Sequence, residues 1–235
     1  MSQCGALCNT DFGVQDIGVQ LIKGTIMAVA ALNCYHAVID DIRHLDWQAL
    51  TQSELMAVCA AYYSFSVQFV EAVDIACGLY PSDQKLAELR EGECDTDNLS
   101  PYPGVAEKGE KMNHDEFIRR ALLLSSMDEA ERARVERIGR AYLEEVRRME
   151  PLVRALSLSS YEDEGLPQVF RAMLEAPDWN APSLGAFRHF LVQHIALDSN
   201  VHGALCRHLV ADDRILPLWN AFRTLLVEAA PKLAA

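Results

Sequence analysis

The chain has 235 residues, half of them hydrophobic, and a formal net charge of −13. That length and composition describe one sizeable globular domain with ample apolar material for a core. The acidic balance excludes a nucleic-acid binder, which needs a basic patch. No apolar run reaches the ~18 residues of a membrane span, and MSQCGALCNTDFG at the N-terminus has no basic segment leading into a long apolar one. Seven scattered cysteines without a CxxC pair point to thiols in a reducing compartment, so a cytoplasmic protein is expected.

Residues 1–13 read as an N-terminal segment and 14–235 as one helical domain. Apolar residues from Val14 to Ile42 recur at helical spacing, predicting a helix over 14–45. Thr51-Gln-Ser-Glu54 is a capping-box pattern. It opens a second helix, apolar on most sides and therefore central, that runs to about Leu79 before Pro81. Glu71 and Asp74, late in that helix, either take a rim position near its end or face the same cavity as the histidines of residues 187–209. Residues 81–105 are loop-like, with a short helix at 83–91, and helix resumes from Val105 through Gly109 to Ser126. Residues 128–149 form a charged, amphipathic surface helix. Residues 152–175 form another, interrupted at Gly165–Pro167, and Ser183 is placed as the cap of the next. A final helix covers 214–230. With no β run and no repeat, the chain is all-α, about seven helices in one domain.

The strongest local signal lies in residues 187–209. This mostly apolar stretch carries His194, Asp198 and His202 at four-residue steps. Each step turns about 40° around a helix, so the three share one narrow stripe, with the histidines about 12 Å apart along the axis. Buried imidazoles and carboxylates need partners, and a metal is an economical one. His189 points to the far side. A metal centre of this kind needs further ligands, and carboxylates suit iron or manganese. Glu107 and His114 lie seven apart on the helix expected there. In Ser160-Tyr161-Glu162-Asp163-Glu164-Gly-Leu-Pro167, one of three consecutive acids need turn inward, and periodicity does not say which.

Together these features resemble the heme-oxygenase-like di-metal oxidases and oxygenases. The carriers are Glu107-x6-His114, an acid shortly before Pro167, and His194-x3-Asp198-x3-His202. NHDEFIRRALL and YEDEGLP are also similar to segments of that family, and the likeness spans roughly residues 95–210. It implies a seven-helix bundle of the heme-oxygenase type, shared with thiaminase II and pyrroloquinoline-quinone synthase. It also implies two Fe(II) ions, or manganese at one site, held by Glu107, His114, Glu162, His194, Asp198 and His202, with O₂ as co-substrate. YEDEGLP is one residue longer than the family's segment, which leaves Asp163 as the alternative to Glu162, and Asp198-x3-His202 is one longer than a common spacing. The implied activity is oxidation of a small substrate in specialised metabolism: N-oxygenation, C–C cleavage or desaturation of an amino acid or amine. An external electron donor and a homodimer fit that setting. Tyr62, Tyr63, Phe69, Arg188 and His36 are substrate-binding candidates, the aromatics as pocket lining and the cations as carboxylate anchors.

Alternatives stay open beside this reading. A fatty-acid decarboxylase on the same di-iron site would show a long apolar tunnel. A metal-free, thiaminase II-like hydrolase would need a nucleophilic cysteine such as Cys206 or Cys77. A non-catalytic helical binding protein would leave the acids and histidines in solvent, and a mononuclear metal site would use only some of them.

Overall fold

The computed structural model describes residues 34–197 and 202–235, without the side chains of Asp163 and Glu164. Ten α-helices occur among the described residues and no strand, only two isolated antiparallel bridges, Thr96 with Met112 and Tyr102 with Ala106. The all-α expectation therefore holds.

Helix α1 covers Tyr35–Arg43, the described end of the helix expected over 14–45; residues 14–33 lie outside the described ones. Helix α2, Gln52–Leu79, begins where the capping box places it. The Thr51 hydroxyl accepts the Glu54 N–H, and the Glu54 carboxylate accepts the Thr51 N–H at 2.9 Å. Its 28 residues are long and apolar enough to cross a bilayer, but 72% of the apolar window is buried within the protein. It is the central helix, and burial on nearly every side explains its composition.

Around α2 pack α3 (Gln84–Cys94), α4 (His114–Leu123), α5 (Glu129–Arg147), α6 (Pro151–Ser160), α8 (Pro182–Leu197) and α10 (Leu216–Ala229). Between α6 and α7 (Leu166–Met173) the chain makes one π-helical stretch, Tyr161–Gly165. There the Leu166 N–H reaches the Tyr161 carbonyl, five residues back. The interruption expected at Gly165–Pro167 is thus a widened turn rather than a break. Proline has no N–H and its ring crowds the carbonyl four residues earlier, and one inserted residue relieves both. Helix α9 is the short Gly203–Cys206, so the apolar stretch over 187–209 is not helical to its end.

Three local expectations are corrected. Residues 105–113 are turns, not helix: Tyr102 and Ala106 pair across a tight bend, and Gly109 sits at φ +74°, outside any right-handed helix. The short helix at 83–91 runs on to Cys94, capped by the Asp83 carboxylate on Lys85 and Leu86 N–H. Ser183 is buried inside α8, which already starts at Pro182, so it is not the cap.

The core is aromatic. Tyr62 of α2 lies 5.3 Å from Phe187 and 5.6 Å from Phe190, ring centre to ring centre, with both rings on α8. Phe65 meets Phe222 of α10 at 4.2 Å. Such ring pairs add about 0.5–1.5 kcal/mol each beyond area burial. Glu71 and Asp74 take rim positions, Glu71 on Arg147 and Arg154, Asp74 on Arg90.

Candidate metal centre

Five side chains from five elements meet inside the bundle: Glu93 of α3, His114 at the start of α4, Glu162 of the π-helical stretch, His194 of α8 and His202 just before α9. All are buried, none more than 4% exposed. Contacts of α3 with α9 and of α4 with α8 bring them together.

Glu93 stands in the middle. Its Oε2 is 2.6 Å from His114 Nδ1 and its Oε1 is 2.8 Å from His202 Nδ1. His202 Nδ1 is also 3.4 Å from Glu162 Oε2, and His194 Nε2 is 2.9 Å from His114 Nδ1. Two triads result, Glu93–His114–His194 and Glu93–Glu162–His202, each with ligand atoms within 4.8 Å of one another. They share the carboxylate of Glu93.

Hydrogen bonds on the outer side fix the imidazoles. The Asn98 amide donates to the Gly92 carbonyl at 3.1 Å, which turns its Oδ1 toward His114 Nε2 at 2.9 Å. His114 therefore donates from Nε2 and keeps a lone pair on Nδ1. His194 Nδ1 faces the Phe190 carbonyl at 3.0 Å, so its Nε2 also carries a lone pair. Those two nitrogens and Glu93 Oε2 lie within 4.8 Å of one another. Three acceptors repel one another unless a proton or a cation lies between them. Metal-binding histidines are commonly oriented in this way by a carbonyl or carboxylate behind the ring.

Electrostatics follow from burial and proximity. Burial raises the Glu93 pKa, but with no cation present a proton shared with His114 Nδ1, together with His202, outweighs it and holds the carboxyl well below the usual range. Burial would lower His202, yet hydrogen bonds to Glu162 and Glu93 take it up to about 11. Burial, with His114 alongside, takes His194 down to about 3. His194 is thus a neutral imidazole, and His202 holds a positive charge between two carboxylates. A cation bound there would take the place of that proton.

The sequence candidates divide. His114, Glu162, His194 and His202 are brought together. Glu107 is not: it is exposed on the turn before α4, where its N–H bonds the Glu110 carboxylate at 2.9 Å. The helix that would have aimed it at His114 does not form, and Glu93 occupies the middle of the cluster instead. Asp198 and the Asp163 side chain lie outside the described residues. The signal for Glu93 was present, since Leu86, Leu89 and Glu93 share one face at i, i+3 and i+7, and both leucines are fully buried. Ending the short helix at residue 91 hid it.

A cavity of about 10 Å³ adjoins the cluster, lined by Tyr62, Phe65, Phe69 and Phe190 among others. That is room for about one water-sized molecule. Tyr63 faces the opposite side of α2, Arg188 is exposed on α8, and His36 is exposed on α1 beside another cavity. His189 turns away from the cluster, as expected, to the Leu99 carbonyl at 3.0 Å. Cys206 is buried against the Leu158 and His202 carbonyls. Cys77 is half-buried with its thiol pKa raised by burial, the opposite of an activated nucleophile.

Comparison of the chain with protein-family models, with curated proteins and with solved structures finds no match.

Proposed function

We infer that the protein is a non-heme di-iron oxidoreductase that uses O₂ to oxidise a small substrate, on a bundle of the heme-oxygenase type. The observation that carries this reading is the division of Glu93 between two histidine-bearing triads. A carboxylate presenting one oxygen to each of two sets of candidate ligands would serve both of a pair of cations. Mixed imidazole and carboxylate donors suit iron or manganese, and the absence of thiolate in either triad argues against a structural zinc. The residues fit the group.

In this reading His114 and His194 would hold one ion with Glu93, and Glu162 and His202 would hold the other with the same carboxylate. Bound Fe(II) would supply the electrons for O₂ activation. The chain's own part is placement. Asn98 and the Phe190 carbonyl keep the His114 and His194 lone pairs inward, and the aromatic wall of Tyr62, Phe65, Phe69 and Phe190 keeps bulk water out. The five described cysteines are free thiols, in keeping with a reducing cytoplasm.

Anaerobic titration with Fe(II), followed by mixing with O₂ while the visible spectrum is recorded, tests the reading. About two irons per chain and a transient absorbance whose decay one amine accelerates are expected. Failure to take up iron overturns it. A second reading, a mononuclear centre, is favoured by the two-histidine, one-carboxylate composition of Glu93–His114–His194. It would appear as one iron per chain.

A further inference from the structure

On the other side of α2 the bundle holds a second cavity, of about 360 Å³, between α2, α4 and α5. No residue lines both it and the metal cluster. Its volume falls in the range of small-molecule sites, and it is much larger than the space beside the cluster. At one level α5 approaches α2 closely, with Gly139 against Ser64, and α4 ends at Leu123 on the cavity wall.

The walls are apolar: Leu122, Leu123, Met127, Val135 and Leu143. Leu123 is 68% exposed, a cost that an apolar occupant would remove. The charged groups are mainly cationic. Arg119, Arg132 and Arg140 line the cavity against a single acid, Glu136, in a chain with 34 acidic and 21 basic residues. Two of the arginines are engaged, Arg119 in a forked pair with Glu116 at 2.6 and 2.8 Å and Arg140 at 3.9 Å from Glu136. Arg132 has only the Met127 carbonyl, at 3.4 Å, among the described residues. A guanidinium has five donors and matches a carboxylate with two parallel bonds.

We propose that this cavity binds a small amphipathic carboxylate, its apolar body between α4 and α5 and its head on Arg132. One negative charge suits the site better than two, because Glu136 stands at the same rim and would repel a dianion. The occupant touches no residue of the metal cluster, so the site does not depend on metal and stands or falls separately from the oxidase reading.

Calorimetric titration of the full chain with decanoate tests this, with decanol and decyltrimethylammonium as controls. Two variants accompany it, Arg132→Gln at an exposed position and Ala60→Phe to fill the floor of the cavity, with circular dichroism to confirm their folding. Saturable decanoate binding is expected, weakened about tenfold by R132Q and at least as much by A60F. Decanol should bind more weakly than decanoate, and the decyl cation should not compete. No saturable binding, equal binding by folded A60F, or equal binding of the decyl cation would each overturn the assignment. So would a dimer that A60F dissociates and decanoate does not, which would give the cleft to a second copy of the chain.

Discussion

Asn98 Oδ1 lies 2.9 Å from Nε2 of His114, on the side of the ring away from Glu93 and His194. The amide is held in that orientation by its own bond to the Gly92 carbonyl. Asn98 therefore decides which His114 nitrogen carries the proton. Asn98→Ala should weaken Fe(II) or Mn(II) binding by about 10–100-fold while the helical content stays unchanged. Asn98→Asp, which still accepts from Nε2, should recover most of the affinity. Calorimetry of metal binding separates the three proteins, and an alanine variant with full affinity would remove Asn98 from the site.

Gly92 has a different task. A Cβ placed on it would come within 2.9 Å of His202 Nε2, a separation that real side chains do not keep. Gly92→Ala should push His202 away from Glu93 and Glu162 and weaken metal at that triad, leaving Glu93–His114–His194 less affected. The expected result is loss of about one metal equivalent per chain in anaerobic titration, with the fold retained by circular dichroism. Retention of both equivalents would show that α3 can shift to make room.

Glu93 and Glu107 give opposite expectations. Glu93→Gln removes the charge shared by both triads and should lower metal affinity at least tenfold. Glu107→Gln changes an exposed turn residue and should leave binding and stability within about 0.5 kcal/mol of the parent. Equal loss in both variants would return Glu107 to the ligand set.

Metal should also stabilise the fold, because the ligands come from five separate elements that only the folded chain assembles. Ligand at about 100 times its Kd adds about 2.7 kcal/mol, visible as a rise in melting temperature that a chelator reverses. A melting curve indifferent to Fe(II), Mn(II) and chelator would count against a resident ion.

Acid should weaken the far end of α2 through Glu71. Burial raises its pKa, but Arg147 and Arg154 outweigh burial and hold it below its ordinary value. A depressed folded pKa means stability that is present above the unfolded value and lost as pH falls through the folded one. Arg154 is almost fully buried, whereas the Glu71 side chain is 31% exposed. Glu71→Gln should thus cost about 1–3 kcal/mol near neutral pH. In denaturant titrations the gap between parent and variant should close as pH drops below the carboxylate range. A gap independent of pH would mean that shape rather than charge is lost.

What the sequence determined alone was local and periodic. The Thr51–Glu54 box started α2 where it was expected, because the two reciprocal bonds close within four residues. The apolar wrap of α2 marked it as central, and Pro167 marked the disturbance that became the π-helical turn. The apolar stretch around His194 signalled that its imidazole would be buried and would need a partner. Tertiary structure decided the partners. Glu107 and Glu93 are both acids a short way before His114. Choosing between them required knowing that residues 105–113 bend around Gly109 while α3 extends to Cys94 and packs on α9. A carboxylate shared between two histidine-bearing triads is defined by distances between elements remote in sequence, and helical periodicity carries no information about those.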